Sequence, residues 1–270
     1  MSLRLRLSLL GLALSALLSG SSLEAANTPP ERFLALPDLS LAQGADAVTI
    51  ALADHLRDPD VPGTAVRLAV RIGTATRTLD LALHDSEAPL SVANFLAYVS
   101  SGRYQNNFFH RSVSGFVIQN GGYYFPNDTT FDYVSTYDPV PNEPGRSNLR
   151  GTVAMAKLGG DPDSATSQWF INLGDNSANL DEQNGGFTVF AHVLESSMSV
   201  VDEIAAVTVY NAGGFHSAWN EIPLTTGTLA RANFIETSAS VVDPLSHQVS
   251  SSAPSVVAAT LDAGTLVLTP

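Results

Sequence analysis

From Ala65 the chain alternates between apolar and other positions. Val66, Leu68, Val70 and Ile72 are separated by Arg67, Ala69 and Arg71, and after Gly73-Thr74 the alternation returns at Leu79, Leu81 and Leu83. A period of two places one set of side chains on a buried face, so these residues are expected to form a β-hairpin. The spacing then changes. Following Pro89, the residues Val92, Phe95, Leu96 and Val99 fall three or four apart, up to Gly102. That is the stripe of an amphipathic helix, started by proline and stopped by glycine. Short apolar or alternating runs follow at 115–119, 152–156, 168–173 and 187–194, separated by Gly, Asn, Asp and Pro. A second helix is expected over 198–207, with Met198, Val201 and Ile204 on one side and Val200 and Val207 beside them. The pattern describes a mainly β fold, an antiparallel barrel whose two helices cover its open ends.

Outside this region the signals differ. Arg4 and Arg6 precede an apolar run from Leu7 to Leu18, followed by small residues and by Ala25-Ala26. This layout predicts a secretory signal peptide over 1–25; as a membrane anchor the run is short. Residues 26–64 carry turn signals at Thr28-Pro29-Pro30 and Asp58-Pro59-Asp60 and read as an N-terminal extension. The main domain is expected over 65–240. The tail, 241–270, holds Ser250-Ser251-Ser252 and a mostly apolar stretch from Val256 to Leu268. Its pattern fits a linker, an added strand or an attachment signal equally. No other stretch has enough uninterrupted apolar residues to span a bilayer.

Composition narrows the chemistry. With 44% hydrophobic and 14% charged residues, the 270-residue chain has material for a core and is not of disordered type. The net charge is −13 and Lys157 is the sole lysine, so there is no basic stripe to meet phosphates and nucleic acid is not an expected partner. The absence of cysteine removes thiol catalysis and thiolate metal sites. The six histidines lack the H-E-x-x-H spacing, and no G-x-S-x-G elbow or phosphate loop occurs. Neither metal nor cofactor is expected.

The segment from Asn107 to Gly122 reads NFFHRSVSGFVIQNGG. On strands flanking a turn at Gly115, Arg111 aligns with Phe109 and Val113, and Val117 with Gln119. A guanidinium, an amide and aromatic rings thus come to the ends of neighbouring strands. Spacing alone leaves Arg111 as either a functional cation or one that snorkels over apolar surface. The segment resembles the F-H-R-x-x-x-G-F-x-x-Q-x-G-G signature of the cyclophilins, the peptidyl-prolyl isomerases. Further similar motifs follow in order: Asn94-Phe95, the run from Asn148 to Ala156, Ser164 to Asn172, Leu180-Asp181 and Phe187 to Phe190. The resemblance covers roughly 65–210.

It implies a closed eight-stranded antiparallel β-barrel capped by two α-helices. Arg111 matches the catalytic arginine, and Gln119 the glutamine that helps hold it and the substrate. Phe116, Val117, Phe170 and Leu180 match the apolar pocket for the proline ring, and Ala156 and Lys157 the strand that binds the extended peptide. Phe187 stands where relatives carry His and keeps an aromatic wall. Ser114, Val117 and Asn120 replace a usual proline, methionine and glycine, and Asn179 a tryptophan, which implies weak cyclosporin binding. The implied function is a monomeric isomerase acting on proline-containing polypeptides, accelerating folding of exported proteins, with the periplasm as the expected compartment and secretion into the medium as the alternative. The alternative is a non-catalytic proline-peptide-binding or adhesive module on the same barrel.

Overall fold

The structure is a computed structural model. It describes residues 63–242 continuously, together with the short stretches 3–4, 31–32, 34, 39–41, 45–52, 56–57, 59, 61, 257–262 and 265–269. The signal peptide expected over 1–25 lies outside the described residues apart from Leu3 and Arg4. The chain divides into two compact units: Gly63–Val242, and Met1–Pro62 with Asp243–Pro270.

In the larger unit the elements are β1 (Ala65–Ile72), β2 (Ala75–Leu83), α1 (Pro89–Ser100), β3 (Asn107–Phe108), β4 (Arg111–Val113), β5 (Val117–Asn120), β6 (Tyr123–Tyr124) and β7 (Asp132–Tyr133). They are followed by β8 (Thr152–Met155), β9 (Trp169–Asn172), α2 (Ser177–Leu180), β10 (Val189–Val193), α3 (Met198–Ala205), β11 (Val209–Tyr210), β12 (Ile222–Pro223) and β13 (Glu236–Val242). The fold is mainly β, a large curled antiparallel sheet with few helices. Its strand order is β7-β6-β3-β13-β1-β2-β10-β8-β9-β5-β4.

The expected hairpin is β1 and β2, in register from Ala65 opposite Ala82 to Ile72 opposite Ala75. Val66, Leu68 and Val70 are buried, whereas Arg67 is exposed and forks onto Asp80 of the facing strand with two 2.8 Å hydrogen bonds. In α1 the buried apolar positions are Val92, Phe95, Tyr98 and Val99, while Leu96 packs at the margin. Tyr98 joins them because its ring stacks on Tyr104 while its hydroxyl accepts from the Tyr137 amide. The Glu143 carboxylate caps the first turn, accepting from the Leu90 and Ser91 amides at 3.0 and 2.8 Å. Val200, Val201 and Ile204 of α3 join the same core.

Two features depart from the expected eight strands and two helices. The sheet comprises eleven strands, because two-residue pairings count separately and the run 107–113 divides into β3 and β4. That division has a physical origin: Phe109 donates to Ile235 O at 3.0 Å on one side, and His110 to Gln119 O at 3.1 Å on the other. One stretch of backbone thus pairs with β13 through its first half and with β5 through its second. The third helix, α2, is a single turn. Gly121 explains a tight spot in the weave: at φ +81°, a Cβ there would lie 2.2 Å from Ser167 O, closer than two atoms can stand.

In the smaller unit, Thr265–Thr269 pairs antiparallel with both Val48–Ala51 and Ala258–Asp262. Leu266 and Leu268 are buried, as is Ile50 opposite Leu266. Within the tail, Ala258–Asp262 and Thr265–Thr269 are therefore paired strands, and Thr265–Thr269 also pairs with Val48–Ala51 of the N-terminal extension. Among the described residues no helix is long and apolar enough to cross a membrane.

Candidate active site

Register decides which side chains meet. Across β4, β5, β9 and β8, Ser112 faces Ile118, Ile118 faces Ile171 and Ile171 faces Val153. The three aliphatic members of this row belong to the main core. The next row points to the other face of the sheet, since neighbouring residues on a strand alternate. It runs Arg111, Gln119, Phe170, Ala154, each directly opposite the next. Facing residues in such pairs stand ~4.5–5.5 Å apart, so a guanidinium, an amide and an aromatic ring lie side by side.

On that face a second apolar cluster gathers Val117, Ala154, Phe170, Leu180 and Val189, with Phe116, Ala156 and Phe187 packed against it. Every apolar residue that the sequence assigns to substrate binding is in this cluster. Phe170 and Phe187 meet edge to face, their ring centres 5.8 Å apart. Phe116 follows a tight turn in which its amide donates to Val113 O at 3.0 Å, with Gly115 at φ +69°.

Buried asparagines fix the pocket's far side. Asn176 donates to Phe116 O at 2.8 Å and to Asn172 Oδ1 at 2.7 Å, and its own carbonyl accepts from the Leu180 amide at 2.8 Å. Leu180 O in turn accepts from the Phe187 amide at 2.8 Å. Next to Leu180, burial raises the Asp181 carboxyl pKa, but hydrogen bonds from Asn148 and Ser147 outweigh it and hold the group below its ordinary value. The single turn of α2 is thus pinned at both ends, which lets so short a helix carry a pocket wall.

Lys157 serves the same wall. Its ammonium donates to the carbonyls of Asn184 (3.0 Å) and Gly186 and sits 4.8 Å from the centre of the Phe187 ring. Burial lowers its pKa. Its side chain therefore braces the segment behind Phe187, and the Ala156 amide is taken by Gln168 O at 2.9 Å.

The polar end of the row departs from the expected pairing. Gln119 donates its amide to Gln168 Oε1 at 2.8 Å. Arg111 is held instead by Glu221, whose carboxylate accepts from Nε at 2.9 Å. Sequence reasoning gave no role to Glu221, Gln168 or Asn176. Gln168 lies inside a recognisable motif, whereas nothing near Glu221 in the chain announces it. Asn120, standing for a usual glycine, is accommodated by donating to Thr237 Oγ1 at 3.1 Å. Behind Arg111 the His110 ring is fully buried; burial, and then the Arg111 charge, push its pKa down to about 3.

Comparison with known proteins places the chain in a family. Residues 69–230 match the family model described as cyclophilin type peptidyl-prolyl cis-trans isomerase. The chain is 41% identical over 152 residues to peptidyl-prolyl cis-trans isomerase A of Dickeya dadantii, covering 55% of this chain and 76% of that relative. To peptidyl-prolyl cis-trans isomerase B of Escherichia coli it is 41% identical over 135 residues, 48% of this chain and 79% of the relative. A crystal structure of a Cryptosporidium parvum cyclophilin type peptidyl-prolyl cis-trans isomerase, in the presence of the dipeptide Ala-Pro, superposes with a TM-score of 0.47 at 21% identity, over 66% of this chain and 99% of that one. The chain belongs to the cyclophilin type peptidyl-prolyl cis-trans isomerase family.

Proposed function

We propose that this protein is a peptidyl-prolyl cis-trans isomerase in which Arg111 meets the twisted imide while the cluster around Phe170 grips the proline ring. The observation that carries the reading is the row Arg111-Gln119-Phe170-Ala154 on one face of the sheet.

Rotation of an amide crosses a barrier of ~18–20 kcal/mol because twisting destroys resonance. No covalent bond to a heavy atom forms or breaks, so the task is to favour the twisted state over the planar ones. In the twisted state the nitrogen becomes pyramidal and regains its lone pair. An N–H of Arg111 can donate to that lone pair, a hydrogen bond that the planar ground state does not offer. Uncatalysed exchange takes tens to hundreds of seconds, so ~10²–10³ turnovers per second require about 7 kcal/mol. One charged hydrogen bond supplies ~1.5–3 kcal/mol. The remainder falls to the apolar pocket, which fixes the ring while the preceding carbonyl swings and keeps water from the imide.

Within this reading Gln119, held by Gln168, presents its carbonyl end to the peptide, and the backbone at Ala156 and Lys157 borders the peptide's path. The sheet is read as a closed barrel of eight strands when 107–113 is taken as one strand shared by β13 and β5 and the two-residue strands β6 and β7 are left out; the two hydrogen bonds at Phe109 and His110 support that closure.

A protease-coupled assay on Xaa-Pro peptides tests the pocket. Phe187→Ala removes roughly 50 Å² of contact, worth ~1.3 kcal/mol at ~25 cal/mol per Å², so KM should rise about tenfold. An unchanged KM would remove Phe187 from the pocket.

We also propose that the enzyme acts on proline-containing polypeptides outside the cytoplasm, in the periplasm. Support comes from Arg4 and Arg6 before the Leu7 to Leu18 run and from the small residues that end in Ala25-Ala26. In a bacterial host, fractionation should recover a chain shortened by about 25 residues outside the cytoplasm. An uncleaved cytoplasmic chain would contradict the proposal.

A further inference from the structure

We propose that Glu221 is a positioning residue for the isomerisation, acting through Arg111; the inference rests on the isomerase reading above. The Glu221 carboxylate takes Arg111 by Nε at 2.9 Å. A guanidinium carries one N–H on Nε and four on its two terminal nitrogens, in a rigid planar fork. Holding it by Nε fixes the plane and leaves the terminal donors for substrate, and among the described residues no protein acceptor is assigned to either of them. A long, flexible cation thereby becomes a donor with a fixed direction, which is what an interaction confined to the transition state needs.

The carboxylate is itself delivered rigidly. Glu221 O accepts from the amide of Ser112, the residue after Arg111, at 2.7 Å. On one side of Glu221 in the chain, Ile222 is fully buried; on the other, across Asn220, so is Trp219. The Trp219 ring lies 4.6 Å from Phe131, 5.7 Å from Phe108 and 5.8 Å from Phe234, centre to centre. This aromatic cluster is separate from both the main core and the proline pocket. It anchors the segment between β11 and β12 against the edge of the site, so that segment works as a bracket for the catalytic cation. The ion pair is too open to matter much for folding: the two side chains are 35% and 43% exposed, and pairs of that kind contribute little to stability. Its consequence is directional.

The test uses the full chain and measures kcat and KM on an Xaa-Pro peptide, with thermal unfolding alongside. Glu221→Ala should lower kcat about tenfold, leaving KM within about twofold and the melting temperature nearly unchanged. Glu221→Gln, whose amide oxygen still accepts from Nε, should recover most of the rate. In an Arg111→Ala background the same Glu221→Ala change should have no further effect, because the residue acts through the cation it holds. Equal kcat in wild type and Glu221→Ala would overturn the role of Glu221 while leaving the isomerase reading intact. So would an additive loss in the double variant. A wild-type chain without activity would overturn both.

Discussion

Arg111→Ala should lower kcat/KM about a hundredfold or more while the protein folds normally. The rate loss follows from the mechanism, since the variant removes the only cation in the row that faces the pocket and with it the donor that meets the pyramidal nitrogen. The charged hydrogen bond alone accounts for ~1.5–3 kcal/mol, or a factor of ~10 to 150. Loss of substrate orientation adds to this. Folding is spared because the partner lost is Glu221, in a pair with both side chains substantially exposed, and such a pair is worth ~0.2–1 kcal/mol. The comparison requires kcat/KM and a thermal melt on the same preparation. Full activity in Arg111→Ala would show that the cation is not the group that meets the imide.

Acid should destabilise the protein well before its carboxylates are protonated. His110 is 2% exposed, and burial, followed by the charge of Arg111, pushes its pKa down to about 3. His84 is 4% exposed and is pushed down to about 4 by burial, then by Arg146 and His192. In the unfolded chain both titrate near ~6.5. Between that value and the folded pKa the unfolded state binds protons that the folded state refuses. Stability is therefore fully present above pH ~6.5 and falls as the pH drops, by ~1.4 kcal/mol per pH unit for each histidine. By pH ~4 the two together remove on the order of 5 kcal/mol, comparable to the whole stability of many domains. Urea unfolding at pH 7.5, 6 and 4.5 should show a steep decline over this range. A flat profile down to pH 4.5 would mean that neither imidazole is held neutral.

Much of the fold is legible in the sequence because it is written in local periods. The alternation from Val66 to Leu83 gives the hairpin, and the spacing of Val92, Phe95 and Val99 gives the first helix. What escapes is whatever depends on register between distant strands or on a feature shorter than one period. A four-residue helix such as Ser177–Leu180 has no stripe to read; asparagine side chains and the Asp181 carboxylate hold it. The 107–113 run looks like one strand and behaves as two pairing surfaces, because its backbone changes partners at Phe109 and His110. The strand at 265–269 is visible in the sequence only as part of an apolar stretch, Leu266-Val267-Leu268, and no local signal encodes its pairing with Val48–Ala51.

The site divides along the same line. Parity places Arg111 and Gln119 each on one face of its own strand, but only the register of Gln119 opposite Phe170 puts them beside the pocket. The motifs supply Phe116, Val117, Phe170, Leu180 and Phe187, and packing brings these together. Glu221 lies 110 residues from Arg111 in an aperiodic segment. A lone acidic residue there is indistinguishable from a solvated one until the chain is folded.

The most direct test of the account is two-dimensional exchange NMR on a short Xaa-Pro peptide with a small fraction of the full chain added. Cis-trans exchange peaks should appear within a second or less, and should be lost on Arg111→Ala. Exchange no faster than the tens to hundreds of seconds of the peptide alone would contradict it.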